Sequence, residues 1–236
     1  MTMGDAGDGD PRAIEWTAHE SMLWETARIV GAVLRGETLA GRPTNFALSL
    51  SNDYSEVVLA SGTYERNWLG AIGDGTYRTN TTFVGGFSPM GIVLGGATLG
   101  GSALGNARRK SRAAADASIA WRPIDGGVVH VSNYGIYLDT SGQLLSFGYH
   151  SIQRMDLLGP GTAQWSATMA SGGAETFQLS SVCVELVFAL WALARCPAHP
   201  QLVNFTWLPE TFMARVRYAG LDGQLGGGSL PMLTAR

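Results

Sequence analysis

The spacing of apolar residues changes three times along the chain. From Arg12 to Arg35, Ile14, Met22, Leu23, Ile29, Val30, Val33 and Leu34 recur at roughly helical intervals, Glu15, Glu20 and Glu25 fall between them, and Gly36 follows. That spacing predicts an N-terminal helix over 12–36. In EVVLASGTYERNW (Glu56–Trp68) and TYRTNTTFV (Thr76–Val84), β-branched and aromatic residues alternate with polar ones, which predicts two strands joined by a glycine-rich turn. The alternation resumes after Trp121 in the short runs VVHVS, GIYLD, LLSFG, IQRMDLL, QWSATM and ETFQL. They are separated by Asn133-Tyr134, Ser141-Gly142, Gly159-Pro160-Gly161 and Gly172-Gly173. No interval could hold a helical crossover, so the pattern predicts antiparallel hairpins rather than a parallel sheet. SSVCVELVFALWALA (Ser180–Ala194) then reads as a serine-capped, almost wholly apolar helix stopped at Pro197. It is shorter than the ~20 residues a bilayer span requires, so it should cover the sheet.

The two ends carry little such pattern. Residues 1–11 are rich in Gly and Asp and lack the burial that would offset ordering, which predicts a disordered tip. Prolines and a GGGSLP run predict an irregular tail over 197–236, with VNFTWL and FMARVRYAG as edge strands.

Composition narrows the chemistry. The 236 residues carry a formal charge of -3 and only 15% charged side chains, so no whole-protein field invites nucleic acid. Lys110 is the sole lysine against fifteen arginines, the bias of GC-rich coding in a bacterium or its phage. Cys183 and Cys196 cannot form a disulfide framework, and Cys183 reads as a buried thiol in a reducing compartment. The start MTMGDAGDGD is acidic, unlike a secretory leader, which places the chain in the cytoplasm.

Signatures of catalysis and cofactors are missing from the sequence. His19, His130, His150 and His199 lie in no zinc-binding spacing, and no Gly-x-Ser-x-Gly elbow occurs. A phosphate-cradling loop needs Gly-Lys-Ser/Thr, whereas Lys110 follows arginines, and Gly73-Asp74-Gly75 lacks the third glycine of a dinucleotide fingerprint. Asp53 with Glu56, and Asp8 with Asp10, read as solvated turn or tip carboxylates. The tryptophans at 16, 24, 68, 121, 165, 191 and 207 are too evenly spread for a base-stacking platform, and Trp191 and Trp121 are the expected core members. The expectation is therefore no catalytic residue, no cofactor and no metal.

One segment stands apart. Residues 79–107 hold no charge, and Gly91-x-x-x-Gly95, Gly96-x-x-x-Gly100 and Gly101-x-x-x-Gly105 would let helix backbones approach closely. Arg108, Arg109, Lys110 and Arg112 follow at once and would suit an anionic surface. Three readings stay open, in order: a packed glycine-rich helical hairpin, an interfacial or re-entrant membrane contact at the inner face, and a single span. A span would put the strands before Gly85 and after Trp121 on opposite sides of a bilayer, where they could not share a sheet.

WRPIDGGVVHVSNYGIYL, with Ser132-Asn133 in the turn and Ile136-Tyr137-Leu138 returning, resembles the hairpin of bacterial PH-like and GRAM-like proteins of the actinobacterial kind, as does FGYHSIQRMDL after it. The resemblance is weaker over Glu56–Arg112. It implies an α+β fold: an antiparallel PH-like barrel of about seven strands over 46–196, capped by a C-terminal helix. An N-terminal helix and a glycine-rich insert at 85–118, between the second and third strands, would complete it. It also implies a binding scaffold for lipids, peptides or proteins. Only Arg66 and Arg78 lie around the first hairpin, so a protein partner met along an edge strand or beside the helix fits better than phosphoinositide. The rival functions are membrane association through the glycine-rich segment, and an enzyme whose site the sequence does not reveal.

Overall fold

The computed structural model describes residues 15–52, 55–70, 110–111, 118–168 and 173–228. The chain divides into two compact units, one of Met1–Trp68 with Pro123–Arg236 and one of Leu69–Arg122. In the smaller unit the described residues are the ends of two strands and a short piece around Lys110. There the Arg122 guanidinium donates to the Gly70 and Ser118 carbonyls at 3.3 and 3.1 Å. Thr76–Val84 and the glycine-rich segment lie outside the described residues.

The larger unit begins with helix α1, Ala18–Leu34. Its start is a capping box: Thr17 Oγ1 accepts the Glu20 N–H and Glu20 Oε2 accepts the Thr17 N–H, so orphan donors at the helix start are satisfied reciprocally. Its end is a Schellman turn, with Glu37 N–H on the Ala32 carbonyl, Gly36 N–H on Val33, and Gly36 at φ 68°. Leu23, Thr26, Ala27 and Val30 form the buried stripe.

Among the described residues seven strands follow: β1 (Val58–Gly70), β2 (Ala120–Ser132), β3 (Gly135–Thr140), β4 (Gln143–Gly148), β5 (Ile152–Gly159), β6 (Thr162–Thr168) and β7 (Ala174–Ser181). They form one sheet in the order β4-β3-β2-β1-β7-β6-β5. The pairs β1·β7, β2·β3, β3·β4, β5·β6 and β6·β7 are antiparallel. The two edges, β4 and β5, are consecutive in the chain and joined by a single 3-10 turn at Tyr149–Ser151. The sheet is therefore curled into a half-barrel that opens between them. Rings from distant strands meet inside it: Phe147 of β4 is edge-on to Trp165 of β6 at 4.8 Å, and Trp165 lies 5.3 Å from Phe177 of β7.

Helix α2 (Val184–Arg195) fills the concave side, with every residue from Val184 to Ala192 buried. Such all-round burial explains why it is apolar all round. The expected serine cap is corrected here. Ser180 and Ser181 belong to β7, and the N-cap is Cys183, whose side chain makes no capping bond.

The expected irregular tail with edge strands is also corrected. His199 accepts the Gln201 N–H at 3.2 Å and Pro200 occupies the first position of the short helix α3, Pro200–Val203. FMARVRYAG lies in helix α4, Glu210–Tyr218, which buries Phe212, Met213 and Val216. A second Schellman turn ends it, with Leu221 N–H on the Val216 carbonyl and Gly220 at φ 69°. A 3-10 segment, Asp222–Gly228, follows. Helix α4 clamps the start of α1: Arg215 donates to both Glu20 carboxylate oxygens at 2.6 Å and lies over the Trp16 ring, which also meets Phe212.

Of the two tryptophans expected in the core, Trp191 is buried, whereas Trp121 on β2 is only half-buried. Trp165 and Trp207 complete the buried set. The glycine-rich segment falls between β1 and β2; the strand expected ahead of it, Thr76–Val84, lies outside the described residues.

Candidate functional site

Three places could carry function: a buried polar network under the β2–β3 turn, a carboxylate–imidazole pair between the helices, and a groove along the β5 edge. The network explains the Ser132-Asn133 motif. Asn133 Oδ1 accepts the Val57 N–H at 2.8 Å and its amide donates to the Ser55 carbonyl, which ties the turn to the start of β1. Ser132 Oγ accepts the Tyr134 and Gly135 N–H groups and donates to Glu56 at 2.7 Å. Gly135 is required there, because a Cβ would stand 2.2 Å from the Phe147 carbonyl oxygen.

Glu56, expected in a solvated turn, is instead 7% exposed and accepts four hydrogen bonds. These come from the Leu50 and Ser51 amides, the Ser132 hydroxyl and the Tyr137 hydroxyl. A carboxylate with both oxygens filled by fixed neutral donors is a structural anchor with no lone pair left to move a proton.

The second place is Glu185, 1% exposed in the first turn of α2. Its Oε1 accepts the Gly161 N–H at 2.7 Å and contacts His19 Nε2 at 3.0 Å, while Oε2 has no partner among the described residues. The bond to Glu185 raises the His19 pKa from its ordinary 6.5 against the opposing effect of burial. Among the described residues, the side chain hydrogen-bonded to His19 is that of Glu185. The pair ties α1 to α2 and to the β5–β6 turn.

The third place is open. A groove of about 640 Å³ runs between the β5 edge and the end of α2, floored by Ile152 and Trp191 and rimmed by Arg154, Arg195 and His199. The Trp191 indole donates to the Ile152 carbonyl at 3.0 Å, which ties the floor to the strand. His199 stands edge-on to Phe188 and Trp191 at 5.1 and 5.8 Å, and its Nε2 lies 3.4 Å from Asp156. Asp156 also accepts from Arg154 Nε at 2.6 Å. Arg154 keeps 75% of its side chain exposed, and Arg195 is exposed at the last turn of α2, where a cation complements the helix dipole. Arg154 and His199 share the Asp156 carboxylate, and with Arg195 lining the same groove the rim carries two arginines against one carboxylate. At Leu157 the edge is already occupied: the Gln201 side-chain amide accepts the Leu157 N–H and donates to the Leu157 carbonyl, both at 2.9 Å. A register shift between Ile152 and Arg154 marks a bulge at Gln153, common where an edge turns away from pairing.

The residues singled out from sequence meet different fates. Arg66 points inward: its guanidinium forms a two-pronged pair with Asp125 and lies 5.1 Å from the Phe177 ring centroid, so it cannot serve an anionic surface. The Asp125 charge adds to burial in pushing the neighbouring Tyr64 phenol up to about 12. His130 bonds Ser61 at 2.8 Å, and burial lowers its pKa. Arg78, Arg108, Arg109, Arg112 and the six zipper glycines Gly91, Gly95, Gly96, Gly100, Gly101 and Gly105 lie outside the described residues. Lys110 is exposed on helical backbone. No helix among the described residues is long and apolar enough to cross a membrane, and none of their His, Cys, Asp and Glu side chains form a metal-binding group.

Sequence reasoning missed Gln201, Glu185 and Glu56. For Glu185 a signal existed, since a lone carboxylate inside SSVCVELVFALWALA must find a partner when that helix is buried. A scan against protein-family models finds no match for the chain, and a search of curated proteins finds no similar sequence.

Proposed function

We propose that the chain is a non-enzymatic binding module of PH-like architecture that docks an extended acidic segment of a protein partner in the groove between β5 and α2. The strand order supports the PH-like reading: a β1–β4 meander and a β5–β7 meander meet along β1 and β7, the gap falls between β4 and β5, and the helix follows the last strand. The groove carries the functional reading. It offers an edge strand for main-chain pairing, an apolar floor for a side chain, and Arg154, Arg195 and His199 to select negative charge. Binding through backbone pairing and rim charge requires no catalytic group.

Fluorescence anisotropy with two labelled hexapeptides, alternating Glu-Val and alternating Lys-Val, tests this directly. The Glu-Val peptide should bind and the Lys-Val peptide should not. Reversing both rim arginines, Arg154→Glu with Arg195→Glu, should weaken the Glu-Val complex at least ~10-fold, about 1.4 kcal/mol. Equal binding of the two peptides, or no binding of either, overturns the proposal.

A further inference from the structure

The Gln201–Leu157 contact has the form of a strand pair. In an antiparallel ladder, a residue on the hydrogen-bonded side exchanges two bonds with its neighbour, giving its N–H to one oxygen and taking an N–H on its own carbonyl. Leu157 makes both of these bonds, each at 2.9 Å, to one side-chain amide on α3. The Gln201 amide therefore stands where the peptide group of an eighth strand would stand. This geometry also fixes which way the edge faces. The peptide groups of Leu157 point away from β6, and by the two-residue alternation those of Met155 lie on the same open side.

An open edge strand recruits other chains unless something covers it. Among the described residues, the cover at Leu157 is one side chain on a four-residue helix, held by the His199 cap and by Pro200. Rotation about the Gln201 side-chain bonds alone would uncover the Leu157 groups, with no movement of the sheet.

We propose that Gln201 is a strand mimic that guards the β5 edge, and that an extended segment docks by taking its place. This rests on the reading of the β5 groove as the docking surface. Docking exchanges one amide pair for another, so the guard lowers apparent affinity by the fraction of time it is away. If the guard is closed nine-tenths of the time, its removal tightens binding about tenfold. The inference runs against the usual expectation for a groove residue, since loss of a hydrogen-bonding side chain strengthens the complex. A residue that only fixed α3 to the sheet would give no such gain.

The test uses the full-length protein, the Glu-Val hexapeptide and two variants. Gln201→Met keeps the length of the side chain and removes both bonds; Gln201→Ala is the backup should methionine itself fill the groove. In the free variants the Leu157 amide should exchange with solvent faster than in the parent, while amides of β6 and β7 stay protected. The Glu-Val peptide should bind about tenfold more tightly. Binding to the parent with equal or weaker binding to both variants overturns the guard and leaves the groove standing, because Gln201 would then be a contact or a simple tie. Unchanged Leu157 exchange in both variants also overturns it. Failure of parent and variants alike to bind the peptide removes the docking surface and the guard with it.

Discussion

Two buried carboxylates, Glu56 and Glu185, meet the same problem in different ways. Glu56 lies beneath the β2–β3 turn and receives four neutral donors, two of them backbone amides. Glu185 begins α2 and receives one backbone amide and one imidazole on a single oxygen, with the other oxygen left over. A charge held by several fixed dipoles is insensitive to its surroundings, whereas a charge held by an ionisable neighbour depends on that neighbour's proton. The first arrangement makes a rigid corner. The second makes a joint whose strength can vary.

Replacing each carboxylate by leucine should separate them most sharply. Glu56→Leu strands the Ser132 and Tyr137 hydroxyls in a buried site and takes one acceptor from the Leu50 and Ser51 amides, and should cost about 3–5 kcal/mol in denaturant unfolding. Glu185→Leu removes a carboxylate that is itself half-unsatisfied, and should cost only about 1–2 kcal/mol. Equal losses would mean that Glu185 is held better than its visible bonds show.

The smallest effect is in pH. The folded state raises the His19 pKa above its ordinary 6.5, so it holds the proton more tightly than the unfolded chain does. The contribution of the His19–Glu185 pair is then complete below about pH 6.5 and is lost as pH rises through the folded value. Melting temperatures of the parent and of His19→Gln should differ most near pH 5.5 and converge toward pH 8.5. A pH-independent difference would remove ionisation from the account of this joint.

The same contrast shows what was legible in the sequence. Six of the seven strands follow turns spelled by Gly, Pro, Asn and Ser, and α1 carries its start and stop signals in Thr17, Glu20 and Gly36. Local chemistry fixes those elements, so local reading finds them. The α4 segment was ambiguous, because Phe212, Ala214, Val216 and Tyr218 repeat every two residues while Phe212, Met213 and Val216 suit a helix. Burial of the latter set and 97% exposure of Tyr218 decide for the helix. Ser180 and Ser181 misled because residues that cap helices also end strands.

The candidate site was much less legible. Glu56 takes a tyrosine 81 positions away, Glu185 a histidine 166 positions away, and Gln201 a strand 44 positions away. No window of periodicity spans such distances. What the sequence did convey was more general: few charges, and a helix that needed covering.

The seam between β1 and β7 has a consequence for how the molecule assembles. Within each meander the strands are consecutive, and apart from β1–β2, whose strands are separated by residues 71–119, the hairpins close short loops. Pairing Tyr64 with Ser181 joins residues half the chain apart and zips one meander to the other. The entropy of loop closure therefore concentrates on β1, at its pairings with β7 and with β2, and folding must wait there while the short hairpins on either side form quickly.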